Sequence, residues 1–260
     1  MQYVVVSLLV STLAGCANYA TVKIPAEYVQ PNKKIAIVSI AAPYPVEVGF
    51  GEGAVFFGAI GVLADAKGGM ASRDEFANKM SGMLGGWKSE DVLRDKFEKQ
   101  LTGKSYQIVG GKGIQALPAE VAFDPKKGMG DIDAMSKAVT AWHGPEKTIF
   151  DHAKLISQYK PDAIIEVGYG SYRIEKRYGD RSITINVLAK VIRPSTGEVI
   201  ARNRSCVVGG IAGGTPNHAK LGDHDLTAEN GLRQFVAKYQ IVFEQEIEQL
   251  VKESIQSMGL

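Results

Sequence analysis

Cysteine is nearly absent: the 260 residues hold two, Cys16 and Cys206. A chain of this size with two thiols has no disulfide framework, so its stability has to come from an ordinary apolar core. A dominant charge of one sign is lacking too, with Lys+Arg 30 against Asp+Glu 28. Without a strong field to attract polyanions, a nucleic-acid partner is not expected. No uncharged apolar run reaches the roughly 20 residues that a membrane-crossing helix needs. Phosphate-cradling motifs are missing: G-x-x-x-x-G-K-[ST] occurs nowhere, and Gly49, Gly51 and Gly53 do not fall on G-x-G-x-x-G. Nor is there a G-x-S-x-G nucleophile elbow. Nucleotide-driven and serine-hydrolase chemistry are therefore not expected, and no catalytic residue or cofactor is assigned.

What the sequence does have lies first at its beginning. An apolar run from Tyr3 to Leu13 stops abruptly on Leu13-Ala14-Gly15-Cys16. An apolar stretch closed by small residues is the order of a secretory signal and its cleavage site, although no Lys or Arg precedes it here. Residue for residue, Leu13-Ala14-Gly15-Cys16 resembles the lipobox of bacterial lipoproteins. That resemblance implies a lipid on the Cys16 sulfur, removal of residues 1–15 as a signal peptide, and palmitate-type acylation of the new amino terminus. At about 0.8 kcal/mol per buried methylene, several acyl chains hold a protein at a membrane almost permanently. Ala17 stands where, in that family, an aspartate would retain the protein at the inner membrane. The implied address is the outer membrane, facing the periplasm. Cys206 then has no partner and reads as a small buried hydrophobe.

Residues 16–33, with Pro25 and Pro31, read as a lipidated tether, and order is expected to begin at Lys34. Ile35 to Ile40 (IAIVSI) is a β-branched apolar run suited to a strand covered on both faces. Ser72-Arg73-Asp74-Glu75 reads as a capping box for a helix carrying Phe76, Met80, Met83 and Leu84 on one face, ended by Gly85-Gly86. A second helix is expected from Ser89 through Leu93, Phe97 and Leu101, with Gly103 as its C-terminal glycine. Tyr106 to Val109 reads as a strand, and residues 110–145 as a surface insertion with a small helix near Ile132 to Thr140. Ile149, Phe150, Ala153, Ile156 and Tyr159 mark a helix stopped by Pro161. Ala163 to Val167 is an interior strand. Ser182 to Arg193 alternates, with Ile183, Ile185, Val187, Ala189 and Val191 on one face, and RPSTGE turns it into a partner at Val199 to Val208. Ala228 to Ser257 offers about 45 Å of helix at 1.5 Å per residue.

The resulting order predicts one α/β domain over residues 34–260. Its mixed sheet starts parallel and ends in an antiparallel meander, followed by a long C-terminal helix. Three stretches carry a family likeness: KKIAIVSI at Lys33 to Ile40, YKPDAIIEVGYG at Tyr159 to Gly170, and INVLAKVIRPSTGEVIARN at Ile185 to Asn203. They resemble the α/β domain shared by the amino-terminal part of TolB, the curli-secretion lipoprotein CsgG and the penicillin-binding-protein activator LpoB. The likeness implies the fold more than a function.

Two internal features bear on function. In Val48 to Ala66 (VGFGEGAVFFGAIGVLADA), glycines interrupt an apolar run and permit close backbone approach. The segment reads either as an element buried on its own domain or as a contact with membrane or neighbouring subunits through Gly49, Phe50, Gly53, Phe56, Phe57, Gly58, Ile60 and Gly61. His218, Asp223, His224 and Asp225 form the densest set of potential metal ligands. Their spacing matches no zinc signature, so they read as loop residues, with Asp225 or Thr227 capping the last helix. His143 and His152 stand alone in sequence. Glu166, on an interior strand, needs a partner, for which Lys190 or Arg202 is the expectation. The first expectation for function is thus a lipid-anchored, non-enzymatic accessory or assembly factor with an unidentified envelope protein partner. A homo-oligomeric, CsgG-like membrane-contacting component is the alternative, and a metal-dependent hydrolase on the 218–225 loop the second.

Overall fold

The alternation of apolar residues decides the sheet. In the computed structural model, which describes residues 21–41, 47–48, 79–80, 82–111, 113–118, 140–177, 180–203, 219–222, 224–226 and 228–260, strand β1 spans Lys34–Ile40. It is buried from Ile35 onward, on both faces, as a central strand should be. The short β2 (Glu47–Val48) follows, then helix α1 (Ser89–Thr102), β3 (Gln107–Val109), β4 (Ile114–Gln115) and helix α2 (Ala153–Tyr159). The long strands β5 (Ala163–Arg177) and β6 (Asp180–Ile192) lead to β7 (Val199–Arg202), β8 (Ala219–Gly222) and the 30-residue helix α3 (Glu229–Met258). The α/β class with a mixed sheet, an antiparallel meander and a long C-terminal helix is the observed one.

Strand order at the base of the sheet is β3-β1-β5-β6-β7. β1 runs parallel to β3 and to β5, and the β5-β6-β7 portion is antiparallel. Beyond the base, β5 and β6 continue as a hairpin, flanked by β2 along Arg173 and Ile174 and by β8 along residues 181–183. Hairpin register puts Ile183, Ile185, Val187, Ala189 and Val191 into one core with α1 and α3. The α3 stripe of Leu232, Phe235, Val236, Tyr239, Val242, Phe243, Ile247, Leu250 and Val251 is buried against it. Each large side chain so covered contributes about 1.5–3 kcal/mol relative to exposure. Trp87 stands edge-on to Phe243 at 5.1 Å and to Tyr239 at 5.7 Å, joining the stretch before α1 to α3. A smaller core lies on the opposite face, where Trp142, Phe150, Ala36, Val38, Ile40, Ile164, Leu188 and Ile192 meet.

Several local expectations shift. Order begins ahead of Lys34: Val22 exchanges two 3.1 Å backbone hydrogen bonds with Arg202, and Ile24 is buried. The Ile24 N–H donates to Met258 O at 2.8 Å, and Pro25 leads into a 3-10 turn at Ala26–Tyr28. One apolar side chain with a site beside Met258 and Leu260 is enough to dock this part of the expected tether. Helix α1 is capped at Lys88 without a side-chain bond, because the Ser89 hydroxyl turns to Glu90 Oε2 at 3.0 Å. Gly103 closes α1 in right-handed geometry, and the left-handed turn falls on Ser105 instead. Gly85 and Gly86, both at positive φ, end the preceding helical residues as expected; the capping box at Ser72 lies outside the described residues. Helix α2 starts at Ala153 and not at Ile149, since the Thr148 hydroxyl accepts from Phe150 N and Asp151 Oδ1 from Ala153 N. Residues 140–143, at the end of the expected surface insertion, are helical and bury Trp142 and His143. The final helix has its N-cap at Ala228, whose side chain makes no capping bond; Thr227 lies outside the described residues.

Candidate functional site

The lipobox-like Leu13, Ala14 and Gly15 with Cys16, the contact candidates Gly49, Phe50, Gly53, Phe56, Phe57, Gly58, Ile60 and Gly61, and Cys206, His218 and Asp223 lie outside the described residues. His224 is described: its Nε2–H donates to Leu221 O at 3.0 Å and its ring stands edge-on to Phe235 at 6.3 Å. Among the described residues, no group of three or more His, Cys, Asp and Glu is arranged to hold a metal ion, and no helix is long and apolar enough to cross a membrane.

The structure gathers its buried charge elsewhere. Glu166 on β5, Lys190 on β6 and Arg202 on β7 are register neighbours across three strands, on the face that carries the smaller core. All three are buried. Two cations side by side inside a protein require anions, because burial disfavours every ionised group. Glu166 serves one: its Oε2 lies 3.1 Å from Lys190 Nζ. Glu146 serves the other, at 2.9 Å from Arg202 Nη2, while Arg202 Nη1 donates to Gly144 O at 2.8 Å. Of the two partners expected for Glu166, Lys190 is therefore the observed one.

The covering segment completes the cluster. His152 and Thr148 both donate to Glu166 Oε1, the former at 2.8 Å. A carboxylate only accepts, so this contact fixes a proton on His152 Nε2. Lys190 donates to the backbone oxygen of Trp142, with its ammonium 5.5 Å from the indole centroid. Gly168 makes room for that indole: a Cβ there would stand 3.2 Å from Trp142 Cζ2 and 3.2 Å from Ile40 Cβ. His152 is accordingly not isolated, and His143, buried beside the two cations, is not either.

Burial pushes the Glu166 carboxyl up, but the His152 hydrogen bond, the Lys190 charge and the Thr148 hydroxyl together hold it below its ordinary value. Lys190 is lowered by burial, against the opposing pull of Glu166. The two shifts do not mirror each other because the carboxylate collects three donors whereas the ammonium has one anion. Burial, then the Lys190 charge, bring His143 down from 6.5 to about 3, so it is neutral at physiological pH. A neutral imidazole beside two cations avoids a third buried positive charge.

Chemically the arrangement is an acid, a histidine and a hydroxyl in contact, yet Glu166 and Lys190 have no exposed surface and His152 almost none. No substrate atom reaches Glu166 in this geometry. What it does is fasten residues 142–152 to the sheet. Thr148, His152, Glu146 and Trp142 are the members that sequence reasoning missed. The one available signal was Glu166 itself, an ionised residue on an interior strand.

A second notable surface is an open groove of about 560 Å³ along α1 and α3, lined by Lys96, Ala237, Gln240, Ile241, Glu244 and Glu248. Ile241 is 57% exposed, the most exposed of the large apolar side chains among the described residues.

No protein-family model matches this chain, and no curated protein does. Solved structures with a similar arrangement include the lipoprotein GNA1162 from Neisseria meningitidis, at 15% identity and TM-score 0.26, covering 66% of this chain and 78% of that one. The PelC dodecamer from Paraburkholderia phytofirmans matches at 9% identity and TM-score 0.30, covering 92% and 94%. The hypothetical protein CT253 from Chlamydia trachomatis matches at 11% identity and TM-score 0.31, covering 86% and 99%. At these TM-scores the likenesses carry no argument about what this chain does.

Proposed function

We propose that this chain is a lipid-anchored envelope lipoprotein facing the periplasm from the outer membrane, a non-enzymatic accessory or assembly factor working through protein contacts. The observation that carries the reading is the apolar run ending on Leu13-Ala14-Gly15-Cys16. The sealed Glu166 cluster supports the non-enzymatic part, since its acid, base and hydroxyl are spent on holding residues 142–152 in place. The groove beside Ile241 supports the protein-contact part, as exposed apolar surface next to polar residues is the usual composition of a contact site. Cys16→Ala tests the anchor. The variant is expected to keep residues 1–15 and leave the membrane fraction, while the native protein has lost them and gained the mass of its acyl groups. Continued membrane retention of the variant contradicts the proposal.

A further inference from the structure

The distance between Cys16 and the first docked residue is short. Val22 is held to Arg202 through both backbone hydrogen bonds, and Ile24 is held to Met258 O and buried. Five residues lie between Cys16 and Val22, and the six extended steps that join them reach about 20 Å. With lipidated Cys16 in the bilayer surface, Val22 stands no more than about 20 Å from it.

The surface at the end of this leash has a distinct composition. Residues 22–33 cross the base of the sheet: Val22 lies on the β7 edge, Tyr28 OH meets Arg193 at the end of β6, and the Asn32 N–H donates to Ser105 O just ahead of β3. Val22 and Val29 are 42% and 45% exposed, two of the three exposed large apolar residues among those described. Lys23, Lys34 and Lys160 are exposed at or next to the same end, while Lys104 there donates to Leu260 O. Its acids are in part already occupied: Asp162 accepts from Lys34 N and pairs with Lys33, and Glu198 pairs with Arg193. Protruding valines among lysines match the boundary of an anionic bilayer, where apolar side chains reach past the headgroups and ammonium groups meet phosphate.

Resting on the lipid-anchor reading above, we infer that the base of the sheet, presented by residues 22–34, lies against the bilayer that carries the protein's own anchor, with the α1–α3 groove directed away from it. Ala237 in that groove is 21 residues up α3 from Met258, about 30 Å along the helix.

The test uses the full lipidated chain in vesicles of phosphatidylethanolamine and phosphatidylglycerol carrying a headgroup energy acceptor. A donor dye is placed on Val29→Cys or on Ala237→Cys in a Cys206→Ser background, with Gln30→Cys and Lys238→Cys as a second pair should either first variant fold poorly. Energy transfer is expected to be several-fold greater at position 29, or 30, than at 237, or 238. Equal transfer, or greater transfer at the α3 positions, overturns the inference while leaving the anchor intact. Protein that does not float with the vesicles overturns the anchor reading itself, and the orientation with it.

Discussion

Glu166 shows what one residue commits the rest of the molecule to. Its carboxylate meets Lys190, His152 and Thr148 out of contact with water. Breaking a buried ion pair from one side leaves the other charge without a partner, at a cost of about 3–5 kcal/mol, whereas replacing both partners with apolar residues is often close to neutral. Glu166→Leu and Lys190→Met are each expected to lower stability by that amount, and the double variant to lose much less than their sum. Urea unfolding followed through Trp142, which touches the cluster, measures this. Additive losses would show that the two charges do not depend on each other.

Among the elements, α3 joins the sheet at both ends by unlike means. Midway and beyond, apolar packing holds it, together with Asn203, whose Nδ2 donates to Ser254 Oγ at 2.9 Å and to Val187 O at 2.7 Å. In its first turn the chain before it passes so close that a Cβ on Gly231 would stand 2.1 Å from Asp225 O. Helix propensity alone favours alanine over glycine by about 1 kcal/mol. The contact is with backbone, which cannot rotate aside, and forced overpacking costs about 1–3 kcal/mol. Gly231→Ala is therefore expected to lower the unfolding midpoint, opposite to what propensity predicts. A raised midpoint would mean that the 224–226 turn yields without cost.

At the scale of the whole molecule, two buried groups give the fold a common response to acid. His143 titrates at about 3 when folded against 6.5 otherwise, so its contribution is complete above pH 6.5 and drains as pH falls toward 3. Glu166 sits below its ordinary 4.5, so its contribution is complete above that value and is lost as pH drops through the lower, folded one. Stability is expected to fall by about 1.4 kcal/mol per pH unit from His143 below pH 6.5, steepening below 4.5 as Glu166 joins. Comparing unfolding free energies of the native chain and His143→Gln across pH 7 to 5 checks the first part. Parallel curves would remove His143 as the cause.

Much of this architecture was readable in advance because hydrophobic period is local. Ile183 to Val191 announced their face by alternation, and the α3 stripe announced its own by spacings of three and four. The stretch that resembles a lipobox is likewise contiguous, and it lies outside the described residues. Glu166 announced only a need: that Lys190 stands opposite depends on strand register, which brings together residues 24 positions apart. That His152, Thr148 and Trp142 close over the pair depends on how residues 140–152 cross the sheet. The docking of Val22 and Ile24 was hidden because one isoleucine in a polar stretch has no period. Local chemistry along the chain settled which segments become strands and helices. Only tertiary packing decided which charges share a buried site and where Val22 and Ile24 dock, because both depend on contacts between residues far apart in sequence.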